Sequence, residues 1–183
     1  AQVGAYKYTT KIVRASLEFL QDVAWIDAEN WIQRKFAERL GRIHNQHLTT
    51  GTGTNQPLGI VTGAVSGVTA ASATAVTSDE LIDLQHSVDP AYRNERSRFM
   101  LNDATLKGLR KLKGNDGQYY FQVSTTADMP NLLAGSPYVI NQDMAPAGAG
   151  VKSLLYGDFE TGYLVRVVKT LELMQLRERY AEF

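Results

Sequence analysis

The chain has 183 residues, 19 Lys and Arg against 19 Asp and Glu, a formal net charge of zero, and 44% hydrophobic with 21% charged residues. That composition is globular rather than disordered, is long enough to bury a real core, and lacks the overall basic excess of a protein built to neutralise phosphates. Cysteine is absent, which excludes disulfides, thiolate zinc sites, iron–sulfur ligation and cysteine nucleophiles.

The opening AQVGAYKYTTK has no initiator Met and no signal-type apolar core, and the closing RERYAEF ends without a terminating signal. Both read as cuts within a longer chain. Tyr6 to Ala15 is rich in Tyr, Thr, Ile and Val, which suits a strand. Ser16 is placed to cap a short helical turn, SLEFLQD. Asp27 then opens a long helix to Thr50. Its Ala28, Trp31, Ile32, Phe36, Leu40, Ile43, His47 and Leu48 recur at three- and four-residue spacing and form one apolar stripe. Arg34 and Glu38, four apart on the charged face, have the spacing either to pair within the helix or to face a neighbouring subunit. TTGTGTNQPLG ends the helix, because its glycines and proline do not continue it. The stretch that follows carries no Asp, Glu, Lys or Arg between Arg42 and Asp79. It reads as a loop and a subdomain boundary.

Thr77 and Glu80 make a T-x-x-E capping box for a helix to about Val88, ended with the help of Pro90. Arg98 to Leu101 is a short strand. Asn102 caps a second helix with Leu106, Leu109 and Leu112 on one face. GNDG at 114–117 is a turn, and Tyr119 to Phe121 a strand or edge. Tyr138 to Ile140 reads as a buried strand, and the tail from Tyr163 as one or two long strands. The mixed order, with no regular β-α-β alternation, predicts an α+β fold.

The chemical motifs are incomplete. The glycine cluster lacks the Lys of a phosphate loop, and Gln56 stands where the dinucleotide pattern needs its third glycine. His44 and His47 form H-N-Q-H, without the acid of a zinc protease motif. Gly59, Gly63 and Gly67 have membrane-helix spacing, but the intervening Thr, Ser and Ala are too weakly apolar for a span. No cofactor, metal or membrane segment is expected. Asp158 and Glu160 are the acid pair on which a remote alternative, a small hydrolase, would rest; a cap is the simpler role for Asp158. Charge is segregated. Ala91 to Lys113 holds seven basic and two acidic residues, a net +5, and Ala127 to Gly162 holds four acidic and one basic, a net −3. Such opposite segments suit contact between identical subunits.

Four segments, taken in order, resemble the major capsid proteins of tailed double-stranded DNA phages, the Hong Kong 97 fold. They are TKIVRASLEFLQDVAWIDAENWIQRKFAERLGRIHNQHLTTGTGTNQPLGI, RFMLNDATLKGLRKLKGNDGQYYF, NLLAGSPYVINQDMA and LLYGDFETGYLVR. The resemblance implies that residues 1–15 are the returning strand of an extended hairpin. It implies a peripheral domain over 16–76 with the long spine helix, an axial domain over 77–162, and strands over 163–183 returning to the periphery. It also implies a non-enzymatic shell subunit assembling with copies of itself into hexamers and pentamers around packaged double-stranded DNA, with scaffold, portal and maturation protease as further partners. A bacterial nanocompartment shell protein of the same fold is the alternative. The charged side chains expected at subunit contacts are Arg34, Glu38, Arg93, Arg96, Asp158 and Glu160.

Overall fold

The computed structural model describes residues 5–9, 28–114, 116–121 and 132–168. The chain divides into two compact units, Ala1–Gln46 with Val165–Phe183, and His47–Leu164. The uncharged stretch 63–77 lies inside the second unit.

Helix α1, Ala28–Thr50, is 23 residues long, about 35 Å at the α-helical rise. Its predicted stripe is half-buried at Ile32, Phe36, Leu40 and Ile43, while Trp31 is 53% exposed. In the first unit the His44 ring meets Tyr8 edge-on at 4.2 Å. Of the two roles open to Arg34 and Glu38, the pair within the helix is not formed. Glu38 accepts from Lys35 at 3.1 Å and Arg42 at 2.5 Å instead, and these cations hold its carboxyl below the ordinary range. The reason is polarity: Glu preceding the base at i,i+4, as in Glu38–Arg42, is the better orientation, and Arg34–Glu38 is the reverse. The strand expected over Tyr6 to Ala15 is irregular at 5–9, and its remainder, like the turn at Ser16, lies outside the described residues.

In the second unit, α1 ends in a closed loop. Gly51 donates to the His47 carbonyl at 2.9 Å, Gly59 donates to the Gly51 carbonyl at 2.8 Å, and Thr52 bridges Leu58. A Cβ on Gly59 would lie 2.4 Å from the Gly51 nitrogen and 2.5 Å from the Thr49 carbonyl oxygen. Glycine is therefore required for backbone-to-backbone approach, which explains the cluster without any ligand. Gly59→Ala is expected to open this loop, seen as lost hydrogen-exchange protection at the Gly59 amide while the central sheet keeps its own. A one-turn helix, α2 (Ile60–Gly63), follows. Lys152 donates to its Val61 carbonyl at 3.2 Å and to the Ala64 carbonyl just beyond it at 2.6 Å.

Helix α3, Ser78–His86, carries the predicted capping box in full. Glu80 also accepts from the Ala71 amide at 2.6 Å, and these amides hold its carboxyl below the ordinary range. After a 3-10 turn at Pro90–Tyr92 come β1 (Arg98–Leu101) and α4 (Asp103–Arg110). Asn102 caps α4 at Ala104, 2.9 Å, and donates to the Gln142 and Met144 carbonyls at 3.1 and 2.9 Å. The turn at 114–117 closes on Gly114 to Gln118, 2.8 Å, and Tyr119 contributes a single bridge to Lys113 rather than a strand.

Strands β2 (Leu132–Leu133), β3 (Ser136–Ile140) and β4 (Leu154–Gly157) complete a sheet of order β2-β3-β1-β4. β1 is parallel to β3 and antiparallel to β4. Phe99 and Leu101, two apart on one face of β1, meet Leu81 of α3, Leu106 and Leu109 of α4 and Leu133 of β2 in one buried cluster. Each such side chain contributes about 1.5–3 kcal/mol on burial.

Two expectations are corrected. β3 is not buried throughout: Val139 and Ile140 are 38% and 45% exposed. Among the described residues β2 pairs only with Ser136 and Pro137, and the last three residues of β3 have a neighbour on the β1 side alone. The tail from Tyr163 is irregular through residue 168, with Leu164 90% exposed. Alternating apolar residues make a strand only where a partner ladder exists to take their backbone hydrogen bonds. Residues 169–183 lie outside the described residues.

Candidate subunit interface

Four of the six charged residues singled out in the sequence lie on two short connections of the second unit. The first is Asp89 to Ser97. Asp89 accepts from Ala91 at 2.8 Å and Pro90 supplies the fixed φ of the turn. Asn94 then organises the rest: its Oδ1 accepts from the Arg96 amide at 2.9 Å, and its own amide donates to buried Ser97 Oγ at 3.1 Å. The second connection leaves β4 through Asp158, which caps the single-turn helix α5, Phe159–Gly162.

These connections meet. Asn94 Nδ2 donates to Asp158 Oδ2 at 2.9 Å, and Arg96 pairs with Glu160 at 3.4 Å. The basic and acidic segments thus neutralise each other in part within one chain, rather than only between chains. The Arg96–Glu160 pair is exposed at both ends, 64% and 76%, and contributes under about 1 kcal/mol. Asp158 is different. Besides Asn94 it accepts from the Thr161 hydroxyl at 2.9 Å and from the Glu160 and Thr161 amides at 3.1 and 3.3 Å. The Asn94 amide, then the Thr161 hydroxyl, bring its pKa from the ordinary 3.8 down to about 2. A lowered folded-state value means that its stabilising effect is present above the unfolded pKa and is lost as pH falls from about 4 through about 2. Carboxyl titration by NMR is expected to give Asp158 a midpoint near 2, moving up toward the ordinary value in Asn94→Ala.

Arg93 points elsewhere. Its Nη1 lies 3.1 Å from His86 Nδ1, and its buried Nε has no hydrogen-bond partner among the described residues. It lines a groove of about 530 Å³ with Gln85, Pro90, Asn94 and Tyr156. Asp158 and Glu160 are not among the residues lining this groove; Asp158 caps α5 and Glu160 pairs with Arg96. Among the described residues no three His, Asp or Glu side chains gather as metal ligands, and no helix is long and apolar enough to cross a membrane.

The composition-based reading missed Asn94, Thr161 and Asn141. Asn141 Nδ2 donates to Thr49 Oγ1 at 2.8 Å and ties β3 to the end of α1. Two local signals were available. N-x-R at 94–96 and N-x-D at 141–143 are Asx turns, and D-F-E-T at 158–161 is a helix cap whose Thr returns a second hydrogen bond.

The arrangement has counterparts among known proteins. Solved structures described as the capsid of an empty GTA particle computed with C5 symmetry and the capsid of a native GTA particle computed with C5 symmetry share the fold. Their TM-scores are 0.67 and 0.65, at 28% and 26% identity. The first match covers 79% of this chain and 54% of that one, the second 74% and 55%. The chain thus spans about half the length of these capsid chains. No curated protein matches it. The expected α+β fold of Hong Kong 97 type is therefore met, and the model of the phage capsid family matches residues 1–183: this chain belongs to the phage capsid family.

Proposed function

We propose that this chain is the body of a major capsid subunit that self-assembles into the icosahedral head of a phage or prophage and resides in the virion shell. The observation that carries the reading is the family match along all 183 residues, joined to a fold shared with particle-forming capsids. Its role is structural rather than catalytic. The physical requirements of a shell agree with the chain's properties. A formal charge of zero lets many copies approach without large mutual repulsion, and a 23-residue helix supplies a stiff strut.

In this reading, residues 16–76 form the peripheral part around the spine helix, 77–162 the axial part around the symmetry axes, and 163–183 the return to the periphery, with 1–15 as a hairpin strand. Packaged double-stranded DNA is held inside without sequence-specific contact, and scaffold, portal and maturation protease act during assembly. Of the six charged side chains, Glu38, Arg96, Asp158 and Glu160 are engaged within the subunit. Arg93 meets His86 within the subunit as well, which leaves Arg34 as the donor for a neighbouring copy. Sedimentation of the full-length protein expressed alone tests the reading. Closed particles of very high mass are the expected result; a species that stays monomeric across concentration and salt would overturn it.

A further inference from the structure

Two stretches of the second unit carry opposite charge. Between Asp79 and Asp89 there are four acids and no Lys or Arg, and between Lys107 and Lys113 four bases and no acid. Asp79 and Asp83 are four apart on α3, and Lys107 of α4 and Lys111, its C-cap, are four apart, so each pair shares one face; Asp103 lies four residues before Lys107 on that same face. Both pairs are exposed, and none of the four forms an ion pair or side-chain hydrogen bond among the described residues. The two helices meet the sheet at different points. α3 packs against β4, the edge strand on one side of β1, and its Gln85 donates to Ser136 at the start of β3 at 3.2 Å. The last turn of α4 reaches β3 on the other side of β1, where Arg110 donates to the Tyr138 hydroxyl at 2.6 Å.

Copies arranged in a ring make heterologous contacts: each joins two different surfaces, one from each neighbour. A subunit built for a ring therefore needs complementary patches on its two flanks. We infer that within a capsomer the acidic flank of α3 in one copy, Asp79 and Asp83, faces the basic end of α4 in the next, Lys107 and Lys111, with Lys113 beside them. This rests on the capsid reading above and names the surfaces that reading uses. A second copy is favoured over nucleic acid as the occupant because the chain supplies an acidic surface matching the basic one in size and sign. A phosphate-binding face has no need of such a counterpart, and the net charge of zero gives no general attraction for a polyanion.

The test is a charge swap in the full-length protein, read as the fraction in capsomers or particles. Lys107→Glu/Lys111→Glu and Asp79→Lys/Asp83→Lys are each expected to lower that fraction by about tenfold or more, because like charges then face each other. The four-fold combination is expected to restore most of the loss, and added salt to weaken wild-type association. Circular dichroism checks the fold of each variant, and Lys107→Gln/Lys111→Gln with Asp79→Asn/Asp83→Asn give the same test without reversed charge. Normal assembly of folded single-side variants would overturn the inference while leaving the capsid reading intact. So would failure of the combination to recover. Normal assembly with loss of retained DNA in the Lys variants would reassign the basic end to nucleic acid. Failure of the wild-type protein to assemble would remove the capsid reading and the inference with it.

Discussion

Phe99→Ala is expected to destabilise the second unit by about 3–5 kcal/mol, the range for emptying a fully buried aromatic site. Phe99 is 0% exposed at the centre of the cluster that joins α3, α4 and the sheet, and its ring lies 4.6 Å from that of Tyr156 on the neighbouring strand. Ordinary domains have net stabilities of only about 5–15 kcal/mol, so the loss is a large share of the total. The measurement is a urea unfolding curve followed by circular dichroism. Val65→Ala serves as the control: Val65 is 92% exposed and its replacement is expected to stay within about 0.5 kcal/mol of wild type. A small effect at Phe99 would mean that the six buried side chains do not act as one core.

The second large effect is at Asn102. Its side chain does three things at once, accepting from the first turn of α4 and donating to two carbonyls of the 142–144 connection. The residue is 8% exposed, so water does not readily replace what is lost. Asn102→Ala removes the cap, about 1 kcal/mol, and leaves the buried Met144 carbonyl and the part-buried Gln142 carbonyl without their donor, about 1–3 kcal/mol more. A total near 2–4 kcal/mol is expected. Asn102→Ser keeps an acceptor for the Ala104 amide but has no amide donors, and should recover only the capping share. Equal losses in both variants would show that the cap contributes nothing. Equal stability of Ser and wild type would show the same of the two carbonyl bonds.

How far the chain was legible depended on whether the deciding physics was local. The Thr77–Glu80 capping box, the Asn102 cap, the short strand at 98–101 and the length of α1 were all readable, because each rests on residues within one turn of each other. What failed was set by neighbours in space. Tyr138 to Ile140 has the composition of a buried strand, yet Val139 and Ile140 are exposed, and among the described residues these three pair with β1 alone. The alternation in YLVRVV suggests a strand, but residues 163–168 join no ladder among the described residues. Arg34 and Glu38 had the right spacing and the wrong direction. Of the candidate interface residues, the sequence separated Arg96 and Asn94 from Asp158 and Glu160 by about 60 positions, and only the fold brings them within hydrogen-bonding distance. Asn94 was passed over because an uncharged side chain in a charged run draws no attention, although it is what fixes Asp158.

The glycine cluster gives the same lesson from the other side. Read as a ligand motif it fails at Gln56. Read as geometry it is explained, since Gly51 and Gly59 lie where any Cβ would collide with backbone. The match to the family's helix-ending segment thus has a steric cause in this chain.

The account stands most directly on one measurement, a single-particle electron microscopy reconstruction of the full-length protein expressed alone. It predicts closed icosahedral shells in which the fold described for residues 47–164 fits the density of the repeating subunit, with α3 of one copy beside α4 of the next around each capsomer. Particles whose repeating density rejects that fold, or a protein that forms no closed shell, would contradict it.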